Sequence, residues 1–388
     1  NERHLRHSRG VVSKMTQTKV EAPFVANNFA HFKNLVINGD FRIFQRASSS
    51  TAVGNGTYST ADRFKTNFSN DGAATTQQHT LSDADRATTG HSFAWQWDVG
   101  TADGTIGSGQ LAYFRHFIEA QNCSGLAYGS SAAKTLTLSF WVKSAKTGTY
   151  CCTIEKHDST TYLLPLEYTI SSADTWEHKT LVVSPTAGST SLITGSAGDI
   201  TQDNGKGITL YWWLAAGSDY TGGTNNTWSS NTNHLATTNQ VNWLDSTSND
   251  WFITGIQFEI GDQATDFEHL PIDIQLQRCQ RYCQKFDFSA SNNMYGTGRT
   301  LSSNRVDIWF PVLIQMRAVV DAISDSLTTT TIYRGDGTRH DSLTQTATAL
   351  VNANLVCFGV RKTYSDTIEG DNLVGTQFGG TLIATCEL

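Results

Sequence analysis

Residues 34–47, NLVINGDFRIFQRA, pose the question on which the fold turns. Asn38-Gly39 stands between short apolar runs, and turn chemistry predicts a tight hairpin there with both residues at positive φ. The run that follows, Phe41 to Arg46, carries two arginines and lacks the alternation of a plain amphipathic strand. The stretch is either a hairpin tip or the entrance to a larger β domain, and the rest of the chain has to decide.

From Asn34 to about Leu270 the pattern is strand after strand. In KTLTLSFWVKSA, Leu136, Leu138, Phe140 and Val142 alternate with Thr135, Thr137, Ser139 and Trp141. In GITLYWWLAAG, Ile208, Leu210, Trp212 and Leu214 form one face, with Tyr211 and Trp213 on the other. DWFITGIQFEIG gives Phe252, Ile256, Phe258 and Ile260 one parity, broken by Thr254, and TWEHKTLVVSP is a further candidate. Period two with one apolar face predicts antiparallel sheets packed on one side, the pattern of a jelly-roll β-sandwich. Within it lies a long polar stretch, residues 217–243, carrying Tyr220, Trp228, His234 and Trp243 on a Gly/Asn/Thr background. Loops this long tend to be functional. Flat aromatic faces with planar polar side chains suit a sugar, whose C–H faces stack and whose hydroxyls need partners. The same aromatics could instead pin the loop to the sandwich.

At Pro271 the period changes. Pro271 suits a first helical turn and Asp273 its positive end, while Ile272, Leu276, Cys279, Cys283 and Phe286 follow 4-3-4-3 spacing. This predicts a connecting helix over 271–288 of about four turns, with those five residues as a packing seam against a sheet or sister subunits. Cys279 and Cys283 are spaced as metal ligands on a helix could be, but no third ligand is near, so no metal site is assigned. NRVDIWFPVLIQMRA, TTTTIYRGDGTRH, LVCFGVRKTY and GGTLIATCEL supply the strands of a smaller C-terminal β domain. The expected order is a basic N-terminal arm (1–33), a jelly roll (34–270), a connecting helix (271–288) and a β domain (289–388).

The 388 residues carry 10 Trp, only 5 Pro and 16% charged side chains, a composition suited to an all-β class with large loops. A net charge of −7 gives no reason to expect nucleic acid as a partner. The longest apolar run, Leu210–Ala216, is far short of the roughly 20 residues of a membrane helix, and the first 33 residues lack the apolar core of a secretory signal. Seven cysteines, an odd number without ladder spacing, predict free thiols in a chain folded in a reducing cytoplasm. The sequence starts at Asn1 rather than at Met15, which would also make an ordinary beginning. Arg3, Arg6, Arg9, Lys14 and Lys19 make the arm basic: a flexible tail, or a peptide that orders on a docking partner. Enzymatic signals are thin. Glu119, Glu155, Glu167, Glu259 and Glu268 are scattered singly, no Gly-x-Ser-x-Gly or His-Glu-x-x-His occurs, and GDGTRHD at 335–341 has no nucleophile assigned to it.

NLVINGDF looks like the first strand of carbohydrate-binding-module-like jelly rolls. RIFQR, YSTADRF (58–64), TGIQFEIGDQATDFEHLP (254–271), QRCQRYCQKF (277–286) and WFPVLIQMRA (309–318) follow in order. Together they resemble tail-fibre and related virion proteins of tailed bacteriophages. The resemblance implies a non-enzymatic virion component of the tail or an outer appendage, often a homotrimer, assembled in the host cytoplasm and joined to other virion proteins. It also implies glycan as a candidate ligand of the jelly-roll loops. A purely architectural role is the alternative, and a polysaccharide depolymerase a second one. Jelly rolls of that family often place Glu near a structural calcium where this chain has Arg42, and Glu259 and Asp262 sit elsewhere in the pattern, so no cofactor is assigned and a structural calcium stays an open alternative. On this reading Asn38-Gly39 is a bend in an entrance strand.

Overall fold

Period-two alternation over Leu136–Val142 and Ile208–Leu214 yields the strands it predicts, and the eight apolar side chains involved are fully buried. They face each other across a sandwich of two antiparallel sheets. In this computed structural model the described residues are 32–288 except 52, and 294–388 except 303, 326–327, 335–338, 342–344, 354–356, 365–372 and 380. The arm residues Arg3, Arg6, Arg9, Lys14 and Lys19, and the Gly-Asp-Gly turn, lie outside them.

The elements of the sandwich are β1 (Ser49–Ser50), β2 (Phe64–Ser69), β3 (Ala73–Thr80), α1 (Asp83–Thr89), β4 (Phe93–Thr101), β5 (Leu111–Glu119), β6 (Leu136–Ser144), β7 (Gly148–Lys156), β8 (Tyr162–Ile170), β9 (Glu177–Val183), β10 (Lys206–Ala216) and β11 (Asp250–Ile260). One sheet runs β1-β3-β4-β11-β6-β9 and the other β2-β5-β10-β7-β8. Successive strands swap sheets repeatedly, as jelly rolls require. The core between them is aromatic: Phe114 stacks on Trp212 at 5.1 Å and 8°, and Trp95, Trp97 and Trp251 are fully buried around it.

Two local expectations change on folding. β11 was expected to keep one parity from Phe252 to Ile260. The ladder with β6 instead slips between Thr254 and Gln257, around Gly255 at φ 63°, so Phe252 joins an outer cluster with Trp176 while Ile256 and Phe258 enter the core. The entrance segment is neither hairpin nor strand. Asn38 does take positive φ (64°), but its amide bonds Ile43 and Asp62 across a loop, and the chain docks on the β11 bulge through Ile256 N–H to Gly39 O (2.9 Å). A Cβ on Gly39 would lie 2.1 Å from Ile256 O, which is why glycine stands there.

The predicted four-turn helix is corrected. α2 spans Ile272–Gln280, and Cys283–Asp287 is a strand, β12, paired antiparallel with the far C-terminus. Local spacing could not reveal a partner about a hundred residues away. The supposed oligomer seam dissolves with it. Cys279 packs with Ile37, Ile43 and Tyr282 inside its own chain, Leu276 lies against that cluster, Cys283 is buried, and Phe286 meets Phe310 and Phe358. Ile272 alone stays exposed. The C-terminal β domain therefore begins at β12. It continues with β13 (Met294–Ser302), β14 (Arg305–Pro311), β15 (Ala322–Asp325), β16 (Thr328–Arg334), β17 (Arg339–Asp341), β18 (Gln345–Ala353), β19 (Cys357–Tyr364), β20 (Leu373–Gly379) and β21 (Thr381–Thr385). Its sheets are β12-β21-β15 and β17-β16-β20-β13-β14-β19-β18. No disulfide joins any of the seven cysteines, as expected.

The motifs that carry the phage resemblance meet in one place, the junction of sandwich and C-terminal domain. Asn34 bonds Ile256 O (2.9 Å) and Phe258 N (3.0 Å); Arg42 bonds Leu270 O (3.1 Å); Gln45 bonds Asp62 and Cys283 O. Arg317 N–H donates to Arg281 O (2.8 Å), and Gln284 bonds Ile314 O and Leu313 N. Separate stretches of sequence are thus one structural unit.

Beneath the β11 bulge, His91 packs edge-on against Phe267 at 4.7 Å, with His269 at 5.4 Å. Burial, then the neighbouring His269 and His178, push its pKa down to about 4. A histidine whose folded pKa is lowered favours folding above its unfolded value near 6.5 and loses that contribution as pH falls toward 4. Between pH 7.5 and pH 5 His91 is expected to lose about 2 kcal/mol. Urea unfolding of the wild type and His91→Gln at both pH values should show the gap between them narrowing by that amount at pH 5.

Candidate functional site

The 217–243 stretch folds back over the outer face of the five-stranded sheet. Ser229 and Leu163 exchange backbone bonds (2.8 and 2.9 Å), Val241 N–H reaches Thr149 O (2.9 Å), and Gln240 accepts from Cys151 N–H (2.7 Å). Its aromatics divide into two kinds. Trp228 and Trp243 belong to the core: Trp228 is 2% exposed with Nε1 donating to Ser184 O (2.8 Å), and Trp243 is fully buried with Nε1 donating to Asp250 O (3.1 Å). Neither offers a face to a ligand, so the expectation of sugar stacking on them is corrected: they pin the loop. Tyr220 and His234 are half-buried. Tyr220 leans on Trp213 with ring centroids 5.9 Å apart, and His234 bridges Thr221. Only Tyr220 among the four stands beside the sheet's outer aromatics.

Those outer residues are the ones that loop reasoning missed. Alternation turns Tyr113, Arg115 and Phe117 of β5 away from the core-facing Phe114, His116 and Ile118; on β10 it turns Thr209, Tyr211 and Trp213 outward. The register sets Tyr211 opposite Arg115 on one side and Thr153 on the other, with Glu155 opposite Thr209. A connected polar set results. Arg115 Nη1 donates to Tyr211 Oη (3.3 Å), and the Tyr211 hydroxyl donates to Glu155. His157 Nε2 lies 2.6 Å from Thr209 Oγ1 and 3.4 Å from Glu155. Burial, reinforced by Glu155, raises the Tyr211 pKa well above the usual phenol value, so it keeps its proton. Burial lowers the His157 pKa, against the opposing pull of Glu155, and favours the neutral ring.

Arg115, Glu155 and His157 are half-buried, Tyr113 and Tyr211 nearly covered. The face therefore presents fixed donors and acceptors rather than open rings, which suits hydroxyl recognition by bonding more than by stacking. Glu167, the other outward carboxylate of this region, accepts from Thr237 and Asn239. Among the described residues no group of three or more His, Cys, Asp or Glu is arranged to hold a metal ion. Arg42 bonds Leu270 O and stands 3.9 Å from Asp40.

No family model and no curated protein matches the chain. Solved structures do. A proposed sugar-binding protein from Bacteroides thetaiotaomicron aligns at 14% identity over 59% of this chain and 100% of its own, with a TM-score of 0.33. The enzymatically active domain of tailspike protein 4 of bacteriophage CBA120 aligns at 12% identity over 59% of this chain and 22% of its own, TM-score 0.27. A family 11 carbohydrate-binding module from Clostridium thermocellum, in complex with a mixed-linked tetrasaccharide, aligns at 10% identity over 56% of this chain and 99% of its own, TM-score 0.25. Scores this low leave function to the residues themselves. The chain is an all-β protein whose jelly-roll sandwich carries a polar, loop-walled outer face.

Proposed function

We propose that this chain is a non-enzymatic, glycan-binding subunit of a bacteriophage tail fibre or appendage. It attaches to other virion proteins through its basic arm and binds a bacterial surface polysaccharide on the outer face of the five-stranded sheet. The observation that carries the glycan part is the connected set Arg115–Tyr211–Glu155–His157, half-buried on a sheet face beside a wall of loop. Such planar, pre-positioned donors and acceptors match sugar hydroxyls and lose little freedom on binding. The virion part rests on the ordered motifs from NLVINGDF to WFPVLIQMRA.

The test is an array of bacterial capsular and O-antigen polysaccharides probed with the labelled full chain. Saturable binding, competed by the same soluble polysaccharide and weakened about tenfold by Glu155→Gln at unchanged melting temperature, is the expected result. Binding to none by a folded protein that still joins particles would make it an architectural part. Shortened polysaccharide after incubation would make it a depolymerase.

A further inference from the structure

Phe117 points out from β5, yet only 1% of it is exposed. Charge covers it. Lys206 Nζ stands 4.7 Å from the ring centroid, the Arg115 guanidinium carbon 5.0 Å and Lys65 Nζ 6.0 Å. The strand register enforces the crowding, because β2, β5 and β10 are neighbours with Lys65 paired opposite Arg115 and Phe117 opposite Thr209. Cation–π attraction repays part of the repulsion, but it supplies no counter-charge.

The nearby acids are committed elsewhere. Glu155 is held by Tyr211 and faces His157, and Glu387 is held by Arg46 and Arg63. Among the described residues no carboxylate forms an ion pair with Lys65, Arg115 or Lys206. Burial and then the neighbouring cations lower the pKa of both lysines. Arg115 adds a buried Nε without a hydrogen-bond partner. Glu155 pulls on Arg115 and Lys206, and Glu387 on Lys65, but neither pairs directly with them. In a chain of net charge −7, three cations gathered on one ring are a local excess that a ligand can answer.

We infer that Lys65, Arg115 and Lys206 form an anion subsite for the carboxylate of a uronic-acid sugar, so that the polysaccharide bound on this face is an acidic one. The inference rests on the glycan reading above and narrows it. An arginine fork can take a carboxylate in two bonds, with the lysines as flanking point charges. Glu155, on the other side of Tyr211, repels the acid group and accepts hydroxyls. The two ends of the site thus orient the sugar.

The experiment is a ligand-detected NMR titration of the full chain at low salt with D-glucuronate, D-glucose and sodium sulfate, repeated on Lys206→Gln and Arg115→Gln. Lys206 is half-exposed, so its variant keeps the test open should Arg115→Gln fail to fold. D-glucuronate is expected to bind at least about tenfold more tightly than D-glucose, to lose about threefold to tenfold in either variant, and to weaken as salt is raised. Equal binding of both sugars, untouched by Lys206→Gln, would overturn the acid subsite while leaving the glycan reading intact. Sulfate binding with no gain for D-glucuronate over D-glucose would overturn the sugar-acid assignment. Silence from all three probes would overturn the inference, and the polysaccharide array would then judge the broader reading by itself.

Discussion

Glu387→Ala is expected to cost about 3–5 kcal/mol, the usual penalty for leaving a buried charge without its partner. Glu387 reaches back from the last residues of the chain into the sandwich, where its carboxylate pairs with Arg46 at 2.8 Å and with Arg63. Arg63 is fully buried, sits at φ 72°, donates Nη2 to Phe117 O (2.8 Å) and lies 3.3 Å over the Tyr282 ring. Guanidinium cannot shed its proton to escape an apolar site. Once Glu387 is gone, the remaining acid close by is Asp62, 3.7 Å from Arg46, with a pKa that burial has already pushed up to about 6. Chemical denaturation should show the loss, and the double variant Arg63→Met/Glu387→Met should lose less than the two single changes summed, because each leaves the other's charge stranded. A cost of Glu387→Ala under about 1 kcal/mol would mean that water reaches both guanidiniums and that the pair behaves as a surface bridge.

That pairing also explains how the two β domains are held. The last residues after β21 lie against the junction: Tyr58 bonds Leu388 O (3.2 Å), Arg317 donates to Cys386 O and Glu387 O, and Arg281 clasps the buried Glu119 in two bonds of 2.8 and 2.9 Å. Charge-assisted bonds with fixed forks lock orientation as well as contribute energy.

Much of this was written in short-range pattern. The alternations of β6 and β10 read directly, because period two is a local signal and the buried faces are almost wholly apolar. What failed was whatever needed a distant partner or a single dihedral. Phe252 changed sides because Gly255 adopts positive φ, and Cys283–Asp287 left the helix because β21 supplies a ladder from the other end of the chain. The site was half legible. LAYFRHFIE, read at period two, already separates Tyr113, Arg115 and Phe117 from Phe114, His116 and Ile118, but no short window says that Lys65 and Lys206 will converge on the same ring. Aromatics drew attention to the loop instead, and tryptophan in a loop is as ready to fill a core as to meet a sugar.

Trp228 decides between those two uses, and Trp228→Ala is expected to cost about 3–5 kcal/mol, the range for emptying a large aromatic site. The indole fills core space, and its Nε1 satisfies Ser184 O at 2.8 Å. Truncation therefore opens a cavity and also strands a carbonyl. The neighbouring chain cannot easily collapse into the gap: Gly188, at φ 72°, lies so near Thr227 that a Cβ there would meet its methyl carbon at 2.4 Å. Trp228→Phe keeps most of the volume and should cost less, mainly the unpaired carbonyl, about 1–3 kcal/mol. Unfolding by urea gives the stability, while polysaccharide binding measured below the unfolding transition gives the affinity of the molecules that remain folded. If Trp228 is a pin, stability falls and affinity per folded molecule stays within about twofold, a change below 1 kcal/mol. A stable variant that no longer binds would reverse the assignment, placing the ligand at the loop rather than on the sheet and moving the search for it away from Arg115.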